Sequence, residues 1–370
     1  MPTLADELTG LVSALHGTCS DGFCLVLAEG AVYESGQTKS MTGQVNKAPG
    51  MTTRESEVLT DQATLDAADF AFRHWSAPTN GTIRLGSDEH KTAFCRMLLD
   101  THNPYKPAVI EWPKLDDDAR GRLISLPIWD IAVQTEGRAK IRALSYAESR
   151  PDPLLREALA LDAFEEGRHK EVLAKLVAAY GIKLEPEPAY KRPRHLEWSW
   201  MTLGFSECID SFFAFGLFAV ARQSEFFPPE LVETFEPVIQ EEARHIMFFV
   251  NWAAWHYRNL AWWQKPWWWA RIVAVWVRLV RERIGLARSV GAEKDEKPQD
   301  NNFTMTGSKA VADVDLPLAS LIDVCLAENE RRMAGYDPRL LRPMAVPRLI
   351  RFVRRFMRTP RPTAPPPNAA

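Results

Sequence analysis

The pentapeptide EEGRH at 165–169 returns, one letter changed, as EEARH at 241–245. Of the eight histidines in the chain, only His169 and His245 have a Glu three residues upstream. On a helix, positions i and i+3 share a face, so Glu166 points with His169 and Glu242 with His245. The flanking Leu159, Phe164, Leu173, Ile239, Ile246 and Phe249 predict that both faces look into a core. A carboxylate buried there is costly unless a counter-charge answers it. A fold that accepts this pattern must bring its acids together around something positive.

The surrounding sequence reads as helix from about residue 120 onward, with no useful β-period after residue 100. The segment 125–149 has Ser125 as N-cap and ends before Pro151; 152–181 has Asp152 as N-cap, Pro153 at the first helical position and Gly181 as C-cap. At about 1.5 Å per residue the second helix is roughly 42 Å long. A Pro-rich connection (184–194) leads to a third helix over about 197–223 and a fourth over about 229–260, which begins or kinks at Pro237. The fold class expected is all-α, a four-helix bundle with additional C-terminal helices.

The two remaining helices of the four each place an acid in apolar surroundings, Glu136 in AVQTEGRA and Glu207 in GFSECIDSFF; Asp130 and Glu148 compete with Glu136 on its helix. The order is E, E-x-x-H, E, E-x-x-H. Four carboxylates bring four negative charges, which two divalent cations neutralise. Carboxylate with imidazole suits iron or manganese, and the H-E-x-x-H zinc motif is absent.

Over about 125–257 the pattern resembles the ferritin-like di-iron carboxylate proteins, closest to the soluble acyl-carrier-protein desaturases and bacterial di-iron monooxygenases. That resemblance implies Glu136, Glu166, His169, Glu207, Glu242 and His245 as metal ligands. It implies Glu165 and Glu241 as acids orienting the opposing histidines, balanced by Arg168 and Arg244. It also implies two Fe ions, or a Mn/Fe pair, that activate O₂ to hydroxylate, desaturate or cleave a hydrophobic, lipid-like substrate. Ser211, four residues after Glu207, either delivers protons as a catalytic hydroxyl or is structural. No flavin, nicotinamide or iron–sulfur motif is visible, so an external electron donor, a reductase or ferredoxin, is expected. Ferritin- or rubrerythrin-like iron oxidation or peroxide removal is the alternative, and a metal-free membrane adaptor a third class that leaves the buried acids unexplained.

Composition bounds the rest. A net charge of -3 carries no nucleic-acid signature, and five cysteines without a C-x-x-C pair argue against a disulfide framework or a rubredoxin-type site. A cytoplasmic setting, with no signal peptide, is the expectation. No span is expected either, the best candidate, 261–280, being interrupted by Lys265 and Arg271. The Trp-rich 261–283 and the acid-free 347–362 fit either helices packed over the bundle or amphipathic helices on the anionic inner face of a membrane. A homodimer is compatible with all of this. The expected division is a poorly ordered appendage at 1–60 (a short hairpin at 21–36, a linker at 35–50, with Met51 an alternative start), a lead-in packing on the bundle at 61–124, the metal domain at 125–260, accessory helices at 261–360 and a disordered tail at 361–370.

Overall fold

The computed structural model describes residues 61–106, 112–126, 128–223, 228–289 and 317–357. The expected appendage at 1–60 and tail at 361–370 lie outside them. Among the described residues there are ten helices and no strands, with one isolated bridge between Trp75 and Tyr336. The helices are α1 (Gln62–Arg73), α2 (Asp88–Asp100), α3 (Asp117–Ser125), α4 (Trp129–Glu148), α5 (Pro153–Ala179), α6 (Leu196–Gln223), α7 (Pro229–Asn259), α8 (Lys265–Ser289), α9 (Leu318–Met333) and α10 (Ala345–Arg354).

Local chemistry explains most boundaries. Asp152 accepts from the Leu155 N–H at 2.9 Å with Pro153 beginning α5. At the other end, Gly181 takes φ +68°, and the Ile182 N–H reaches the Val177 carbonyl at 2.9 Å, a Schellman closure. Ser125 is a correction. It ends α3, its hydroxyl donating to the Arg122 carbonyl at 2.9 Å, and α4 starts at Trp129 without a side-chain cap. The sequence signal was displaced by a short extra helix capped by Asp116. Pro237 lies inside α7 and does not begin it.

Helices α4 and α5 pack along each other; α6 packs against α4, α7, α8 and α9, and α2 against α5 and α7. One core spans most of these elements, centred on Trp200, Phe212, Phe215, Phe248, Phe249 and Trp252. Close approach of α6 is allowed by two glycines. A Cβ on Gly204 would stand 2.1 Å from the Phe249 ring of α7, and one on Gly216 2.2 Å from the Cys325 sulfur of α9. Phe164 departs from its expected inward place: it is 56% exposed, with the Arg168 guanidinium over its ring.

Among the described residues, the helix long and apolar enough to cross a membrane, by length and composition, is α6 and not 261–280; its apolar window is mostly buried inside the fold. Helix α8 has two apolar sides. Trp268, Ile272, Val275 and Leu279 are buried in the core, while Val273, Val277 and Val280, with Trp262, Trp263 and Trp267, are exposed. In α10, acids from α9 answer the arginines: Arg354 pairs with Asp323 at 2.8 Å and Arg351 with Glu330. That leaves Arg355, Phe352 and Phe356 outward.

Candidate metal centre

Helical phase delivers the charged residues to one place. On α5, Glu166 and His169 lie one turn apart, and α7 repeats this with Glu242 and His245; Glu136 comes from α4 and Glu207 from α6. Glu136, Glu166, His169 and Glu242 can each place one ligand atom within 4.8 Å of the others, which could hold a metal ion. The His169 Nδ1 stands 3.2 Å from Glu242 Oε1 and 3.7 Å from Glu136 Oε2. Across Glu166 the pattern repeats, with His245 Nδ1 3.0 Å from Glu166 Oε1. The two imidazole centroids are 5.7 Å apart. Glu207 is half-buried, and its charged neighbours are Glu166, Asp162, Glu242 and His245. The competing acids of α4 are elsewhere: Asp130 accepts from the Glu185 N–H, and Glu148 pairs with Arg192.

An outer ring fixes the imidazoles. His169 directs Nε2 to Glu241 Oε2 at 2.8 Å, and His245 directs Nε2 to Glu165 Oε2 at 2.8 Å. Each bond crosses from one E-x-x-H helix to the other. Arg244 holds both oxygens of Glu165 at 2.9 Å and donates to Thr101 Oγ1 at 2.7 Å, while Arg168 pairs with Glu241. His102, between α2 and α3, adds a contact to Glu165 at 2.7 Å. With Nε2–H donated outward, each ring turns Nδ1 inward.

The inner ring has no such answer. Glu166 Oε1, Glu207 Oε1, both oxygens of Asp162 and the Nδ1 atoms of His169 and His245 are buried without a hydrogen-bond partner. Lone pairs facing carboxylate oxygens repel unless a proton or a metal ion lies between them. Burial pushes Glu166 and Glu207 well above the usual carboxylate range, with neighbouring acids adding to it, and raises Asp162 to about 6. Burial disfavours charge on His169 and His245, yet the carboxylates around them hold both well above the ordinary imidazole value. Glu165 goes the other way: Arg244, His102 and His245 outweigh its burial and hold it well below. Without a metal ion Glu166, Glu207 and the two imidazoles hold protons, which a cation would displace, while His169 holds Glu242 below the usual carboxylate range. Donor type, inward Nδ1 atoms and orphaned oxygens fit a carboxylate–imidazole metal site.

Ser211 Oγ donates to Glu242 Oε2 at 3.2 Å, so this hydroxyl lies beside the inner ring. Asp210 turns away to Arg283 of α8 at 2.6 Å. Tyr146 is stacked on Trp200 in the core. Phe212 and Phe215 are fully buried, with Phe215 beneath the Arg332 guanidinium, so they fill space rather than line a passage. Two clefts of about 400 and 300 Å³ lie at the start of α6, lined among others by Arg142, Arg194, His195, Arg271 and Arg278. The sequence reading missed Asp162, His102 and Thr101. Asp162 carried a usable signal, since it precedes Glu166 by four residues on the same helical face.

No family model matches the chain, and neither a curated protein nor a solved structure matches it. The buried Glu/His cluster is compatible with a di-iron carboxylate site.

Proposed function

We propose that the protein is an O₂-dependent dinuclear iron or manganese/iron oxidoreductase of ferritin-like, four-helix type, acting on a hydrophobic, lipid-like substrate. The observation that carries this reading is the contrast within the cluster: outer acids answered by arginines, inner acids by no arginine, with Glu166 Oε1, Glu207 Oε1 and the inward Nδ1 atoms left without a hydrogen-bond partner. Glu136, Glu166, His169 and Glu242 would hold one ion; Glu166, Glu207, Glu242 and His245 would hold the second. A reduced pair bound there would supply O₂ activation. The chain's own residues do the rest. Glu241 and Glu165 fix each imidazole through its Nε2–H. Ser211 holds a proton at Oγ against Glu242. The buried aromatic core around α6 and α7 keeps water from the inner ring.

Electrons come from a separate reductase or ferredoxin. The exposed tryptophans at the α7–α8 corner, 79% exposed at Trp262 and 74% at Trp267, together with the arginine-lined clefts nearby, support an anionic membrane surface as the source of substrate. The test is anaerobic reconstitution with Fe(II). We expect about two irons per chain, lost in His169→Ala and in His245→Ala, and then O₂ uptake coupled to oxidation within a panel of acyl, isoprenoid and quinone-type compounds. Iron content near zero removes the metal reading. Mineralisation of excess iron without substrate-coupled uptake replaces the oxygenase by an iron oxidase.

A further inference from the structure

We propose that Asp162 is a fifth carboxylate of the metal site, set beside His245 to serve the second ion. This rests on the dinuclear reading above and adds a residue to it. Asp162 lies one turn before Glu166 and two before His169 on α5, so its side chain leaves the helix on the face that carries both. It is 1% exposed, and neither of its oxygens has a hydrogen-bond partner. A single methylene gives it no reach to solvent.

Other buried acids of this protein show what a structural carboxylate receives here. Glu236 has Arg332 at 2.9 Å and Arg73 at 3.0 Å. Asp337 has Arg339 at 2.6 Å and the Ala77 N–H at 2.9 Å. Asp162 receives neither a cation nor an N–H; the nearest positive character is the His245 ring, whose two nitrogens already face Glu165 and Glu166. A metal ion on the His245 side of the cluster would remove the deficit, because it gives the carboxylate a cation partner that it otherwise lacks. The inner ring then counts five carboxylates against two metal ions, one more negative charge than two divalent cations neutralise, which favours a more highly charged, oxidised pair.

The experiment is a Co(II) titration of the full chain, read by visible absorption and by bound metal, in wild type, Asp162→Asn and Asp162→Glu. Wild type should take two equivalents. Asp162→Asn should keep the first and bind the second at least tenfold more weakly, with a changed spectrum, while the metal-free variant melts no lower than wild type. Asp162→Glu should retain both. Two equivalents bound to Asp162→Asn with wild-type affinity and spectrum would overturn the assignment. So would a metal-free Asp162→Asn that melts well below wild type and loses both ions together, since that is a packing defect. Absence of Co(II) binding in wild type strikes at the dinuclear reading instead, so the two failures are distinguishable.

Discussion

Helix α7 carries two inward acids six residues apart, Glu236, which is buried, and Glu242, which is half-buried, and the protein gives them different partners. Glu236 meets Arg332 through two hydrogen bonds, at 2.9 and 3.1 Å, with Arg73 beside it; these guanidiniums hold it below the usual carboxylate range despite burial. Glu242 has no arginine. Its partners are the His169 imidazole and the Ser211 hydroxyl, which with His245 hold it below the usual carboxylate range despite burial, while Glu166 and Glu207 around it are pushed upward. Arginine is permanently charged and planar, so an arginine-paired acid is a finished structural element. An acid ring closed only by imidazoles and protons is exchangeable. The difference teaches that in this fold a missing arginine marks the place intended for another cation.

The largest expected effect breaks the finished pair. Arg332→Met should cost about 3 kcal/mol of stability, because it leaves the buried Glu236 with Arg73 as its one remaining guanidinium. Urea unfolding measures this, and added Fe(II) should not rescue it. Glu207→Gln is the counterpart. It exchanges one neutral group for another, so the metal-free protein should stay within about 1 kcal/mol of wild type, while iron retention falls. A stability loss in Glu207→Gln matching that of Arg332→Met would erase the contrast between the two regions.

A pH series sharpens it further. Glu166 and Glu207 are raised from 4.5, and His169 and His245 from 6.5, so the folded metal-free protein binds more protons than the unfolded chain above these values. Stability must then fall as pH rises through the raised values. Melting temperature of the metal-free protein should decline as pH rises above 6.5, and bound Co(II), which replaces the protons, should flatten the slope. The lowered acids Glu165 and Glu236 contribute only on the acid side, losing their stabilisation below about pH 4.5. A metal-free protein whose melting temperature rises over the alkaline range would show that the inner ring carries no excess protons.

The smallest effect concerns the surface. Replacing Trp262, Trp263 and Trp267 by Ser should weaken sedimentation with anionic vesicles, and Arg271→Glu should add about 1–2 kcal/mol of loss that salt removes. Equal pelleting by the variant and the parent would take membrane binding away from the α7–α8 corner.

The sequence made the all-helical class and the clustered Glu136, Glu166, His169 and Glu242 legible because i, i+3 spacing, caps and apolar context are local properties. Asp152, Pro153 and Gly181 set α5 by chemistry within a few residues of each end. What stayed illegible depends on tertiary partners. Ser125 has the composition of an N-cap yet closes α3, since the preceding Asp116 captures the role first. Phe164 reads as core but lies on the outward side of a helix whose inward side is taken by acids. Asp162 shares the helical face of Glu166, a signal the spacing offers, but its burial without a partner is a tertiary fact. Likewise the sequence left open whether 347–362 packs over the bundle or faces a membrane, since the acids Asp323 and Glu330 that pair with Arg354 and Arg351 lie on α9.

Helix α6 has a consequence for biosynthesis. One of its principal partners, α9, begins at Leu318, some 95 residues after α6 ends at Gln223, so at about 5–20 residues per second the ribosome needs about 5 to 20 seconds to deliver that cover. Throughout that interval the nascent chain displays a segment long and apolar enough to be taken into a bilayer. Glu207 and Asp210, near its middle, are the charges that oppose such insertion. Replacing both with leucine would therefore alter where the newborn chain goes before it alters anything the folded protein does.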